Sequence, residues 1–281
     1  MSSLRGVIRI AGAAGLCAVL AIGCAGTPAT APKESASAIA SPATTMANAS
    51  PTRVPQTDPA AQGMTARTLA SRISADPVGG SRPYVGVYEL PNQPPGGTLD
   101  HGALSSIAYG VKGTVRWTTT SGRIIDLDAG EALATPTEGF VETNPGTTTS
   151  VWYTFLVYTL ASRDLLINGV QREIAASPML PVPQPAGPYT LRLDLIGLEA
   201  GGRTAATTHA GATALVVLDG EVEVRQPGDK HDFLSPGKGL AQLPGGSLQV
   251  FNRGSMTAQL LEYFYTPERD PFETLLGSPI Q

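Results

Sequence analysis

The chain contains three histidines, His101, His209 and His231. They are the side chains best placed to move a proton near neutral pH. His209 ends the run Thr207-Thr208-His209 and can serve as a hydrogen-bonding group or a general base. Its other reading is a partly buried histidine satisfied by polar neighbours. No acid stands close to it in sequence, and acid/base chemistry usually needs two ionisable groups. His231 lies in Gly228-Asp229-Lys230-His231-Asp232, which reads as a polar hairpin connection with an exposed ring. No serine has a recognisable nucleophile context. HExxH, phosphate-loop, GxGxxG and GxSxG patterns are all missing.

The two cysteines do different work. Cys17 sits inside the apolar run of residues 10–23, which follows a short basic start with Arg5 and Arg9. That run is shorter than the roughly 20 apolar residues a membrane span needs, so it reads as the core of an export signal. It ends Leu20-Ala21-Ile22-Gly23-Cys24-Ala25. This resembles the bacterial lipoprotein box, with Ala21 where leucine is commonest. The resemblance implies a signal peptide over 1–23 and an acylated Cys24 as the new N-terminus. The expected location is a cell or outer membrane, facing away from the cytoplasm, with the lipid bilayer as a partner. The exported domain would then hold no disulfide.

Residues 24–63 are dominated by Ala, Thr, Ser and Pro and show no apolar periodicity. They read as a disordered tether, with a span on the order of 35 Å. Net charge is −4. Cleavage before Cys24 removes two arginines and no acid, which leaves −6. An acidic surface without clustered Lys and Arg argues against nucleic acid as a partner. Only 15% of residues are charged, while Gly (32) and Pro (24) are abundant, which suits a turn-rich β protein.

Past the tether, residues 64–73 predict a short helix, with Thr65 as N-cap and Met64 and Leu69 as a staple. From Tyr84 the pattern changes to short β runs separated by turns. They form two series that look like one unit used twice. His101 and His209 are 108 apart, Gly113 and Gly220 are 107 apart, and Pro136 and Pro244 are 108 apart. The boundaries implied are 64–161 for one unit, 162–188 for a connector with a short helix near 163–175, 189–267 for the second unit, and 268–281 for a tail. In the tail, Asp270-Pro271-Phe272-Glu273 predicts a helical turn to about Leu276, with Phe272 or Leu275 packed on the second unit. Trp117, Trp152, Tyr153, Tyr263 and Tyr265 read as core or interface rather than as a sugar-stacking platform.

The second unit resembles the cupin family, whose pattern is Gly-x5-His-x-His-x3-Glu-x6-Gly followed by Gly-x5-Pro-x-Gly-x2-His-x3-Asn. Gly201, Thr207, His209, Thr213 and Gly220 keep every spacing of the first part. Gly237 or Gly239, Pro244, Gln249 and Asn252 follow the second part more loosely. The first unit keeps Gly113, Gly130, Pro136 and Asn144. The resemblance implies an all-β fold of two tandem antiparallel barrels (jelly rolls), a bicupin, after a disordered tether. It also implies that metal-binding members place two His, a Glu and a third His at positions filled here by Thr207, His209, Thr213 and Gln249. The matching positions of the first unit are Gly102 and Asp100, or His101 after a one-residue slip, then Ser106, and Phe140 or Glu142. At most one or two ligands survive in either unit. The expectation is therefore no metal and no cofactor.

Two functions lead, beside a third reading as a structural envelope protein whose barrels only mediate assembly. The first is a metal-free lipoprotein whose pocket, built from Thr207, His209, Thr213, Gln249, Asp100, His101 and Ser106, binds a small ligand or an envelope partner. The alternative is a cupin-type enzyme, isomerase- or epimerase-like or a metal-dependent oxygenase, with His209 as its working residue. Exposed strand edges must be covered, so a homodimer or an intramolecular barrel pair is expected.

Overall fold

The computed structural model describes residues 60–75, 83–101, 105–159, 172–181 and 184–281. The expected export signal, Cys24 and most of the expected tether lie outside them. The described residues contain no helix. The strands are β1 (Gln62–Ser74), β2 (Pro83–Gln93), β3 (Thr98–His101), β4 (Ser106–Lys112), β5 (Thr114–Thr119), β6 (Ile124–Asp128), β7 (Ala132–Ala134), β8 (Phe140–Thr143) and β9 (Ser150–Thr159). They continue with β10 (Arg172–Ala176), β11 (Tyr189–Arg203), β12 (Thr207–His209), β13 (Ala212–Asp219), β14 (Val222–Gln226) and β15 (Lys230–Leu234). The last four are β16 (Gly239–Gln242), β17 (Ser247–Asn252), β18 (Ala258–Pro267) and β19 (Glu273–Leu275).

Each repeat folds as two antiparallel sheets. In the first, β10-β2-β9-β4-β7 is one sheet and β3-β8-β5-β6 the other. In the second, β1-β11-β18-β13-β16 and β15-β14-β17-β12-β19 correspond to them, joined where Arg203 of β11 pairs with Phe251 of β17. Exchanging β2, β9, β4 and β7 for β11, β18, β13 and β16 converts one half into the other. β9 and β18 are offset by 108 positions. The chain is thus all-β, with two tandem cupin-like barrels.

Side chains alternate across a strand, and β9 and β18 bury both faces. Tyr153, Phe155 and Val157 meet Leu261, Tyr263 and Tyr265 in one core between the barrels, with the Phe155 and Tyr263 rings 5.6 Å apart. The opposite faces fill the barrels. Trp117, Phe140 and Trp152 pack inside the first; Leu198, Leu215, Val250 and Leu260 pack inside one end of the second. This double burial explains runs such as Val151 to Tyr158, which are apolar without clear alternation.

Two expected helices are strands, and the described end of a third is strand as well. Residues 64–73 lie within β1, which runs antiparallel along β11 from Gln62↔Arg203 to Ser74↔Tyr189. The local cap and staple lose to the open edge of β11, whose N–H and C=O groups need a partner. Residues 60–63, assigned by composition to the tether, already belong to this arrangement: Arg203 Nε donates to the Ala60 carbonyl at 3.1 Å. In the connector, Arg172–Ala176 is β10, paired with β2; the rest of the expected helix lies outside the described residues. The C-terminal turn is β19, paired with β12, although Phe272 does pack, 5.5 Å from the Phe264 ring.

The repeat also shows in its turns. Gly113 and Gly220 have φ of 69° and 77° and turn β4 into β5 and β13 into β14. A Cβ on Gly220 would lie 2.9 Å from Ala258 Cα. Gly220→Ala is expected to cost about 2 kcal/mol in denaturant unfolding. Gly228→Ala, also at positive φ but with nothing within 4 Å, is expected to cost about half as much.

Candidate functional site

The polar end of the second barrel is built by strands whose lumen-facing residues change from apolar to ionisable. On β18, Leu260, Glu262 and Phe264 face the same way by alternation. On β11, Arg192, Asp194, Ile196 and Leu198 do the same. Thr207 and His209 enter from β12. β19 then crosses beside β12 in the register Thr207↔Leu275, Thr208↔Thr274, His209↔Glu273. Two further backbone bonds hold this corner, His209 N–H to the Gly246 carbonyl and Leu276 N–H to the Ala206 carbonyl, both 2.9 Å.

His209 is fully buried. Its Nε2 lies 3.4 Å from Glu262 Oε1 and 3.6 Å from Glu273 Oε1. Thr207 Oγ1 donates to Glu273 Oε1 at 3.2 Å and lies 3.5 Å from Nε2. Glu262 is 5% exposed, and its Oε1 makes no hydrogen bond. Asp194 accepts from Thr68 Oγ1 at 2.8 Å and pairs with Arg192 at 2.8 Å. The Arg192 guanidinium stacks on Phe272 and Phe264, 3.8 and 4.6 Å from the ring centres. A cavity of about 340 Å³ opens here, lined by Asp194, Thr207, Glu262 and Glu273 with Met64 and Leu275.

The ionisation states follow from this packing. Burial raises Glu262 from its ordinary 4.5 to about 7; Glu273 and Asp194 push the same way, against the pull of His209 and Arg192. Burial alone would lower His209, but Glu273 and Glu262 outweigh it and hold the imidazole above its ordinary value. Glu273 is raised by burial and lowered by more through His209 and Thr207, so it stays an anion.

Of the expected pocket residues, Thr207 and His209 meet at this site. Thr213 is buried on β13. Gln249 is buried on β17, and its Nε2 donates to the Thr204 carbonyl at 3.1 Å. With one imidazole, two hydroxyls and an amide engaged with backbone, the four family positions do not fit the metal that the resemblance implies. In the first barrel, Asp100 and His101 lie on β3 opposite Val141 and Phe140, with side chains outside the described residues. Ser106 is buried and donates to Thr135 Oγ1 at 3.0 Å. Glu142 accepts from Trp117 Nε1 at 3.0 Å. The first-barrel positions do not join the second-barrel site.

His231 is not a free hairpin histidine. Its Nδ1 lies 2.7 Å from Glu223, which also accepts from Arg225 and Arg253. Burial raises the Glu223 carboxyl, but these partners outweigh it and hold the group below its usual range.

Sequence reasoning found no acid for His209 because both acids are distant in the chain. A signal for Glu262 was available: it is the only acid in the otherwise mostly apolar β18 run AQLLEYFYTP, where an ionisable group is costly unless it has a task. Glu273 gave no such signal, since only the β12–β19 ladder brings it to the ring.

Comparison with known proteins finds no matching family model and no matching curated protein. Solved structures similar to this chain include a cupin 2 conserved barrel domain protein from Leptotrichia buccalis, at 12% identity and TM-score 0.42, covering 72% of this chain and 92% of that one. Oxalate decarboxylase from Bacillus subtilis is similar at 10% identity and TM-score 0.47, covering 77% and 80%. Salicylate 1,2-dioxygenase from Pseudaminobacter salicylatoxidans is similar at 15% and 0.44, covering 69% and 75%.

Glu262 and His209 each hold a proton more tightly folded than unfolded. The stability that Glu262 contributes is complete below about pH 4.5 and is lost as the pH rises through about 7. Melting temperature is therefore expected to fall across that window in the wild type, and to fall less in Glu262→Gln.

Proposed function

We propose that this protein is a membrane-tethered bicupin in which one barrel is structural and the other binds a small polar solute. The observation that carries this is the contrast between the two lumens. The first is packed with Trp117, Phe140 and Trp152. The second keeps a cavity of about 340 Å³ with three acids on its wall, a size in the range of small-molecule sites. Acceptors dominate that wall, so it favours a solute rich in donors, an amine or a polyol. A panel of such solutes is expected to raise the melting temperature of the chain, because a ligand that binds only the folded state stabilises it. The rise should be lost in Glu262→Ala. A panel without any stabilising member would remove the reading.

Acid/base catalysis is the second reading, favoured by the imidazole standing between two carboxylates. It predicts that a bound solute exchanges a carbon-attached proton with deuterated solvent, and that His209→Gln stops the exchange while the solute still binds.

The tether reading rests on the basic then apolar start and on Cys24. Cys24→Ser is expected to leave the protein unprocessed or released from membranes, as read by fractionation and intact mass.

A further inference from the structure

We infer that His209, Glu262 and Glu273 form a divalent-cation site of zinc type, with its open position on the second-barrel cavity. The inference rests on reading that cavity as the binding pocket, and it names an ion the pocket holds. Only His209 belongs to the positions that the family resemblance marks. Glu262 comes from the last barrel strand, and Glu273 comes from the tail.

Geometry is the first support. One nitrogen and two carboxylate oxygens, one atom from each residue, lie within 4.8 Å of one another. The two separations from His209 Nε2 are 3.4 and 3.6 Å. Two ligand atoms bound tetrahedrally at about 2.1 Å stand about 3.4 Å apart. Those spacings are long for hydrogen bonds between charged groups, which close to about 2.7–2.9 Å. The two nitrogen-to-oxygen spacings thus match shared ligation of an ion better than closed ion pairs.

Glu262 supplies an independent observation. Its Oε1 is enclosed, faces the imidazole and has no hydrogen-bond partner. A buried carboxylate oxygen without a donor costs free energy that a cation would recover. The nearby Arg192 guanidinium makes its ion pair with Asp194 and lies over the Phe264 and Phe272 rings, and it makes no hydrogen bond to Glu262 Oε1. Two carboxylates and a neutral imidazole would leave a divalent ion uncharged overall.

The surroundings are those of a held ligand set. Thr207 orients Glu273 by hydrogen bond, and the His209 backbone is pinned by its N–H to the Gly246 carbonyl. Such outer partners fix the direction of a ligand's lone pair. Mixed imidazole and carboxylate ligation suits zinc, and the imidazole disfavours magnesium. Three protein ligands and one open position are the pattern of a reactive zinc rather than a structural one.

The test uses the full-length chain, stripped with chelator and then given Zn²⁺, Mn²⁺ or Mg²⁺ chloride. Calorimetry and elemental analysis are expected to show one Zn²⁺ per chain, bound more tightly than Mg²⁺ by at least a hundredfold, with a higher melting temperature. Glu273→Gln is expected to stay folded by circular dichroism, since Gln keeps the shape of the side chain, and to lose at least tenfold in Zn²⁺ affinity. Glu262→Gln should also lose it, and Co²⁺ substituted into the wild type should give the absorption bands of a tetrahedral site. No stoichiometric Zn²⁺, or equal binding by Glu273→Gln and the wild type, overturns the site. If amines or polyols stabilise the stripped chain while Zn²⁺ does not bind, the cation site falls and the pocket stands. If Zn²⁺ binds and no solute does, the pocket's solute reading falls and the cation site stands.

Discussion

The packing of two five-stranded sheets against each other is the constraint on which the rest of the structure depends. Tyr153, Phe155 and Val157 on one side and Leu261, Tyr263 and Tyr265 on the other form a core that neither barrel could cover alone. The outer strands strengthen that union. β1 precedes the first barrel in sequence but pairs with the second, where Arg72 reaches back to the Thr135 carbonyl at 2.9 Å. β10 pairs with the first barrel, where Arg172 reaches the Gly237 carbonyl at 3.5 Å and Ile174 backs Gly239. Each barrel thus has a sheet edge closed by a segment that also touches its neighbour.

With one face of β18 committed to that core, the opposite face is left to the lumen, and there the two halves diverge. At the position equivalent to Glu262 the first barrel has Thr154, and its interior closes over Trp117 and Trp152. The second barrel keeps an apolar floor of Leu198, Leu215, Val250 and Leu260 and an ionisable rim. Aromatic side chains fill the described interior of the first repeat. Both repeats bury a carboxyl: Glu142 of the first accepts from Trp117 Nε1, whereas Glu262 of the second faces His209 on the cavity wall.

The rim is completed by the tail. A three-residue strand places Glu273 opposite His209, and Phe272 covers the Arg192 guanidinium that neutralises Asp194. Three residue pairs with β12 hold that strand, and they carry Glu273 to the wall of the cavity.

The sequence by itself determined the repeat, because Gly113 and Gly220 need positive φ and such needs are local. It determined the all-β class from turn residues and strand-like runs, and the place of Thr207 and His209 from spacing along one strand. Only the tertiary structure decided the rest. Residues 64–73 carry helix signals worth about 1 kcal/mol, which an eleven-pair ladder along β11 overrides. Glu262 and Glu273 lie 53 and 64 positions from His209, too far for any local pattern. They meet it because β18 alternates into the lumen and β19 pairs with β12, and neither long-range pairing is written in the residues that it brings together.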